Sequence, residues 1–115
     1  VALNVYALAS PALANPQGCV QGNPYFSQSS GYMNANNDAD CQTSVTRTFR
    51  VEIKRDVSGL PDPVVSSYDD YWTGTYYYAS TSSCDGGRTA KYYGRSFFTS
   101  NPTYEDTGKL TVTTC

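Results

Sequence analysis

Four cysteines, Cys19, Cys41, Cys84 and Cys115, constrain this chain more than any other feature. They are an even set, dispersed along 115 residues, with no Cys-x-x-Cys pair and no histidine to complete a zinc site. The chemistry that remains is two disulfides in an oxidising compartment, with three connectivities open. Cys19–Cys41 with Cys84–Cys115 is the preferred pairing, because each bridge closes a loop of moderate length and one ties down the last residue. Each is worth about 2–4 kcal/mol. A secreted, extracellular domain follows as the expectation.

The chain has the length of one domain with one modest core. Thr, Ser, Tyr and Val dominate, Leu and Met are scarce, and Gly and Pro recur, a mixture that suits pleated surfaces and turns better than helices. Thr43–Arg55 is the clearest strand. Val45, Phe49, Val51 and Ile53 fall on one face with Arg47 interrupting, and Thr46, Thr48, Arg50, Glu52 and Lys54 fall on the other. Tyr25, Phe26 and Tyr32 suggest a short strand or two, Asn34–Asp40 a polar loop, and Asp56–Ser67 a loop punctuated by Gly59, Pro61 and Pro63. Tyr71–Ser82 and Thr89–Thr99 read as strands of a hairpin turning at Cys84–Arg88, where glycines supply positive φ. Ser100-Asn101-Pro102 turns the chain into a last strand, Leu110–Thr114. The expected fold is a small all-β antiparallel sandwich over residues 19–115, preceded by an extended arm and hinge over residues 1–18.

No charge occurs before Asp38. Within that stretch Val1–Ala14 is strongly apolar, and Ala12-Leu13-Ala14 resembles a small-x-small leader cleavage site. No cationic segment precedes it, so a mature arm is the reading taken. Val1, Leu3, Val5, Ala7 and Ala9 alternate at period two, while Pro11 and Pro16 oppose a continuous helix. Val1, Val5 and Leu8 also fit helical spacing. Such an arm can complete a partner's sheet or lie in a groove, and about sixteen extended residues reach roughly 50 Å. The plainer alternative is an edge strand of its own domain, against which the lack of protective lysines argues.

Without histidine, Ser-His-Asp, Cys-His and most acid–base chemistry are unavailable. The acidic doublets Asp69-Asp70 and Glu105-Asp106 are the remaining carboxylate candidates, but neighbours along a strand face opposite ways and form no glycosidase pair. They read as solvated turn charges, and the chain is expected not to be an enzyme. Asn34, Asn36, Asn37, Asp38 and Asp40 are oxygen donors but lack the spacing of a calcium loop, so neither metal nor cofactor is expected. No basic stripe exists to neutralise phosphates, and neither nucleic acid nor membrane is an expected partner. Eleven tyrosines and Trp72 are the informative inventory. Consecutive Tyr76-Tyr77-Tyr78 and Tyr92-Tyr93 put rings on both faces of their strands, one for the core and one for the surface. Trp72, Tyr76, Tyr78 and Tyr93 are the candidate partner-binding surface; cross-strand pairs that merely stabilise the sheet are the equal alternative.

The uncharged arm Val1–Ala14, the Asn15–Gly18 hinge and the four-cysteine, Thr/Tyr-rich β body together resemble the adaptor subunits of the umbrella toxin particles secreted by Streptomyces. That resemblance implies an antibacterial complex in which the arm inserts into the helical repeats of a large toxin subunit while the β domain holds a lectin subunit. Val1, Leu3, Val5, Tyr6, Leu8 and Leu13 would then be the anchors. Three other roles suit the residues: a proteinase inhibitor presenting Ser58–Pro63, a carbohydrate-binding module stacking sugars on Trp72 and the tyrosines, and a fibre subunit exchanging the arm.

Overall fold

The computed structural model describes Pro16 and residues 18–115. The arm residues Val1, Leu3, Val5, Tyr6, Leu8 and Leu13 lie outside the described residues. Seven strands form one antiparallel sheet: β1 (Cys19–Gln21), β2 (Tyr25–Ser29), β3 (Tyr32–Arg55), β4 (Val64–Ser83), β5 (Thr89–Phe98), β6 (Glu105–Asp106) and β7 (Leu110–Thr113). No helix occurs among the described residues.

Two strands organise the rest. Straight, the 24 residues of β3 would span roughly 80 Å, yet the longest dimension of the described residues is 42 Å. The strand therefore bends, at a register shift between Asp40 and Val45 where β3 carries extra residues against β4. A bulge of this kind lets a strand pass from one layer of a sandwich to the other. The first layer holds β1, β2, the first part of β3 and the last part of β4. The second holds the remainder of β3 and β4 with β5, β6 and β7. The expected sandwich is thus a single sheet folded on itself.

The layers meet on one core. Met33, Ala35, Ala39 and Cys41 come from the first part of β3, Phe49, Val51 and Ile53 from the second, and Cys19, Tyr77, Ala79, Tyr92, Phe98 and Val112 complete it. Tyr77 meets Phe98 edge-on with ring centroids 5.5 Å apart, and the Asn37 amide donates to Ser96 Oγ across the layers at 2.9 Å. Both preferred disulfides are present: Cys19–Cys41 joins directly paired residues of β1 and β3, and Cys84–Cys115 ties the end of β7 to the loop after β4.

Several local expectations need correction. Asn34–Asp40 is no loop but the first half of β3. Ala35, Asn37 and Ala39 face the core and Asn34, Asn36, Asp38 and Asp40 face outward, so the alternation is present in residues that seldom build strands. The loop after β3 ends at Pro63, since β4 already starts at Val64. Val45 is exposed and Arg47 is the buried member of its row, where its guanidinium donates to the Thr43 carbonyl at 3.0 Å. Cys84–Arg88 does contain glycines at positive φ, Gly86 and Gly87, but it closes no hairpin. β4 and β5 pair with opposite edges of β3, so the loop is an arch over that strand. The tight hairpin is instead Ser30-Gly31 between β2 and β3, where both residues have positive φ, as two-residue turns matching strand twist require.

Candidate binding face

Four aromatic residues were expected to share a surface, and β4 separates them. The register shift at the bend reverses which side chains point inward. Before it, Trp72 pairs with Arg47 on the row that continues into Phe49 and Val51; after it, Tyr77 pairs with Ala39 and points inward, so Tyr76 and Tyr78 point out. Trp72 folds over Gly74, where a Cβ would collide with its ring, and packs on Tyr77 at 5.9 Å between centroids. One side of the indole remains exposed at the bend. Tyr77, fully buried, has its hydroxyl in reach of the Val45 carbonyl at 3.0 Å. Tyr93 does not belong to any exposed surface: only 4% of it is accessible. The Arg95 guanidinium and Lys109 ammonium cover its ring at 5.8 and 5.6 Å, and its hydroxyl donates to Asp62 at 2.6 Å. Burial first, and then that hydrogen bond, push the Tyr93 phenol far above its ordinary range.

Tyr76 and Tyr78, each about half exposed at 48% and 49%, stand instead on the outward face of the first layer. The pairings across β1 or β2, β3 and β4 set its rows: Val20–Asp40–Tyr76, then Asp38–Tyr78, then Tyr25–Asn36–Ser80, then Ser27–Asn34–Ser82. Tyr25 and Val20 are exposed too. Asp38 is held in place, with one carboxylate oxygen packed where a Cβ on Gly22 would sit and the other accepting from the Tyr76 hydroxyl at 3.2 Å. Burial, followed by the charge of Asp38, raises the Tyr76 phenol. Beyond the aspartates the face becomes a neutral amide–hydroxyl ladder, in which Asn34 donates to Ser82 Oγ at 2.8 Å and Asn36 to Asn34 at 2.9 Å. Neither Asp38 nor Asp40 has an ion-pair partner among the described residues. Sequence reasoning missed both as surface partners of the tyrosines because it placed them in a loop.

Most of the other aspartates are held by framework contacts. Asp69 holds Arg50 with two bonds of 2.6 and 2.9 Å, and Asp106 holds Arg95 with 2.8 and 2.9 Å. Asp70 faces the other way from Asp69 and accepts from the Tyr78 backbone N–H at 3.0 Å. This caps the free edge of β4 at the centre of the tyrosine row, a guard against strand addition there. Glu105 lies in β6, paired with Ser96. Neither doublet converges on a cleft. Asp85 accepts from the Tyr92 hydroxyl at 2.6 Å and from Arg55 at 3.1 Å, bracing the arch beside the second disulfide. Burial and this hydrogen bond push Tyr92 up to about 12.

The candidate site is therefore an aromatic and anionic sheet face on a disulfide-stapled β domain. Compared with protein-family models, with curated proteins and with solved structures, the chain matches none.

Proposed function

We propose that this chain is a secreted, non-catalytic adaptor that joins two protein partners, one through the arm Val1–Ala14 and one through the β domain. The observation that carries this reading is the outward face of the first layer. Exposed Tyr25, Tyr76 and Tyr78 are set there on one sheet face, while three of the four carboxylates in the acidic doublets, Asp69, Asp106 and Asp70, are held in ion pairs and on an edge amide. Tyrosine offers large contact area at low entropic cost and a polar tip, the profile of a protein interface. Two disulfides suit an oxidising compartment. The resemblance to umbrella particle adaptors adds the identities: a toxin subunit with helical repeats for the arm, a lectin subunit for the domain, and an antibacterial complex as the whole.

Purification of the full chain from culture supernatant, followed by mass spectrometry of what co-elutes in fixed proportion, tests the reading. Two partners are expected. Leu3→Asp should release one, because a charge in an apolar groove is strongly unfavourable, and Tyr76→Ala with Tyr78→Ala should release the other. A chain that elutes alone, or that turns over a glycan or peptide, would overturn it.

A second reading has one observation of its own. Leu60 is 67% exposed at the tip of a loop braced by Asp62, which accepts from Val57 N–H at 2.9 Å and from Tyr93. A braced loop with an apolar tip is what a proteinase inhibitor presents. Inhibition of a serine proteinase that disappears in Leu60→Gly would favour it over the adaptor.

A further inference from the structure

We infer that the Asp38–Asp40–Tyr76–Tyr78 face is a docking site for a basic protein surface, whose arginine or lysine side chains lie against the tyrosine rings and pair with the two aspartates. The inference rests on the adaptor reading and names the chemistry of the domain's partner.

Charge distribution carries it. All eight Lys and Arg residues and eight of the ten acids lie at or beyond Arg47, leaving only Asp38 and Asp40 before it. These two side chains therefore equal the whole formal net charge of −2. Neither the first half of β3 nor Thr75–Ser83 contains a cation. Elsewhere on the molecule Arg50, Arg55, Arg88, Arg95 and Lys109 are each paired with an aspartate.

A partner that covers the tyrosines must strip water from Asp38 and Asp40. A neutral surface or a sugar offers no charge in return, and an uncompensated carboxylate is expensive to desolvate. A guanidinium or ammonium offsets that cost and gains from the ring faces as well. The molecule already shows this combination in its second layer, where Arg95 stacks 4.1 Å from the Tyr104 centroid while gripping Asp106. Strand addition at the same place is opposed by the Asp70 cap on the Tyr78 amide, so side chains and not backbone make the contact.

The test is a titration of the isotope-labelled full chain, followed by amide chemical shifts, with a short peptide alternating glycine and arginine. The same peptide built with glutamate and a neutral glucan oligomer are the comparison ligands. The arginine peptide should shift Asn36–Asp40 and Tyr76–Ser80, and the effect should fade with added salt. Asp38→Asn with Asp40→Asn should weaken binding about tenfold or more, and Tyr78→Ala should weaken it without removing either carboxylate. Asp69→Asn, on the second layer, should leave it unchanged. No shifts, shifts centred on the second layer, equal binding to the double aspartate variant, or tighter binding of the glucan would each overturn the inference. Failure of the adaptor reading looks different, since the chain then elutes alone from the supernatant whatever the peptide does.

Discussion

The two layers of this folded sheet solve different problems. The second buries Phe49, Val51, Ile53, Tyr92 and Phe98 and holds Arg50 and Arg95 on its outer surface in bidentate pairs with Asp69 and Asp106 and against neighbouring rings. The first contributes Met33, Tyr77 and the small side chains of Ala35, Ala39 and Ala79 to the core, leans on a disulfide, and leaves Asp38 and Asp40 without an ion-pair partner among the described residues. Exposed tyrosines occur on both, Tyr71 and Tyr104 on the second and Tyr25, Tyr76 and Tyr78 on the first. Exposure alone therefore does not distinguish a binding face. On the proposed reading, whether the charges beside the rings are already paired does.

The largest effect should come from the second layer's core. Phe98→Ala removes a ring packed on both Phe49 and Tyr77 and should cost about 3–5 kcal/mol, read by denaturant unfolding. Replacing Cys19 and Cys41 together by serine should cost about 2–4 kcal/mol. If the disulfide variant proves the more damaging, the division of labour between the layers is reversed.

Acid and base should both act on the Tyr92–Asp85 contact that braces the arch. Tyr92 keeps its proton to about pH 12 in the folded chain but loses it near pH 10 when unfolded. Its stabilisation is complete below pH 10 and lost as pH rises through the folded value. Burial pushes the Asp85 carboxyl up, but bonds from Tyr92 and Arg55 outweigh this and leave it below the usual range. That contribution is present above about pH 4 and lost as pH falls through the lowered value. With no histidine in the chain, the unfolding midpoint should change little between the carboxylate range, which burial of Glu52 extends upward, and about pH 9. Tyr92→Phe should blunt the alkaline fall, and a curve unchanged by it would show that the Tyr92–Asp85 contact is not what titrates.

The smallest effect should be Asp69→Ala. Its pair with Arg50 is partly exposed on both sides, so about 0–1 kcal/mol is expected from the same denaturant curves. A larger loss would mean the arginine pairs are structural girders of the second layer.

How much of this was legible in the residues follows the same divide. The second layer announces itself: β-branched and aromatic alternation through Thr43–Arg55 marks the strand, and the cysteine spacing suggests the right pairing. The first half of β3 was hidden because Asn and Asp favour turns, while its inward residues are Ala35, Asn37 and Ala39, too small or too polar to register as core. Local pattern shows where a chain turns but not which edge the next strand joins. Cys84–Arg88 thus read as a hairpin although it arches over β3. Tyr93 alternates as a surface residue should, and the side chains that bury it, Arg95 and Lys109, are seen only after folding. The inversion of Trp72 relative to Tyr76 depends on the bulge between Asp40 and Val45, which the alternation of β4 by itself does not reveal.

The most direct test of the central claim, that the first layer's outward face binds while the second layer's surface is spent on stability, is hydroxyl-radical labelling of the complex recovered from culture supernatant. The account predicts that Tyr25, Tyr76 and Tyr78 lose reactivity relative to the isolated chain while Tyr71 and Tyr104 keep theirs. Protection of Tyr71 and Tyr104 with Tyr76 and Tyr78 still labelled would contradict it.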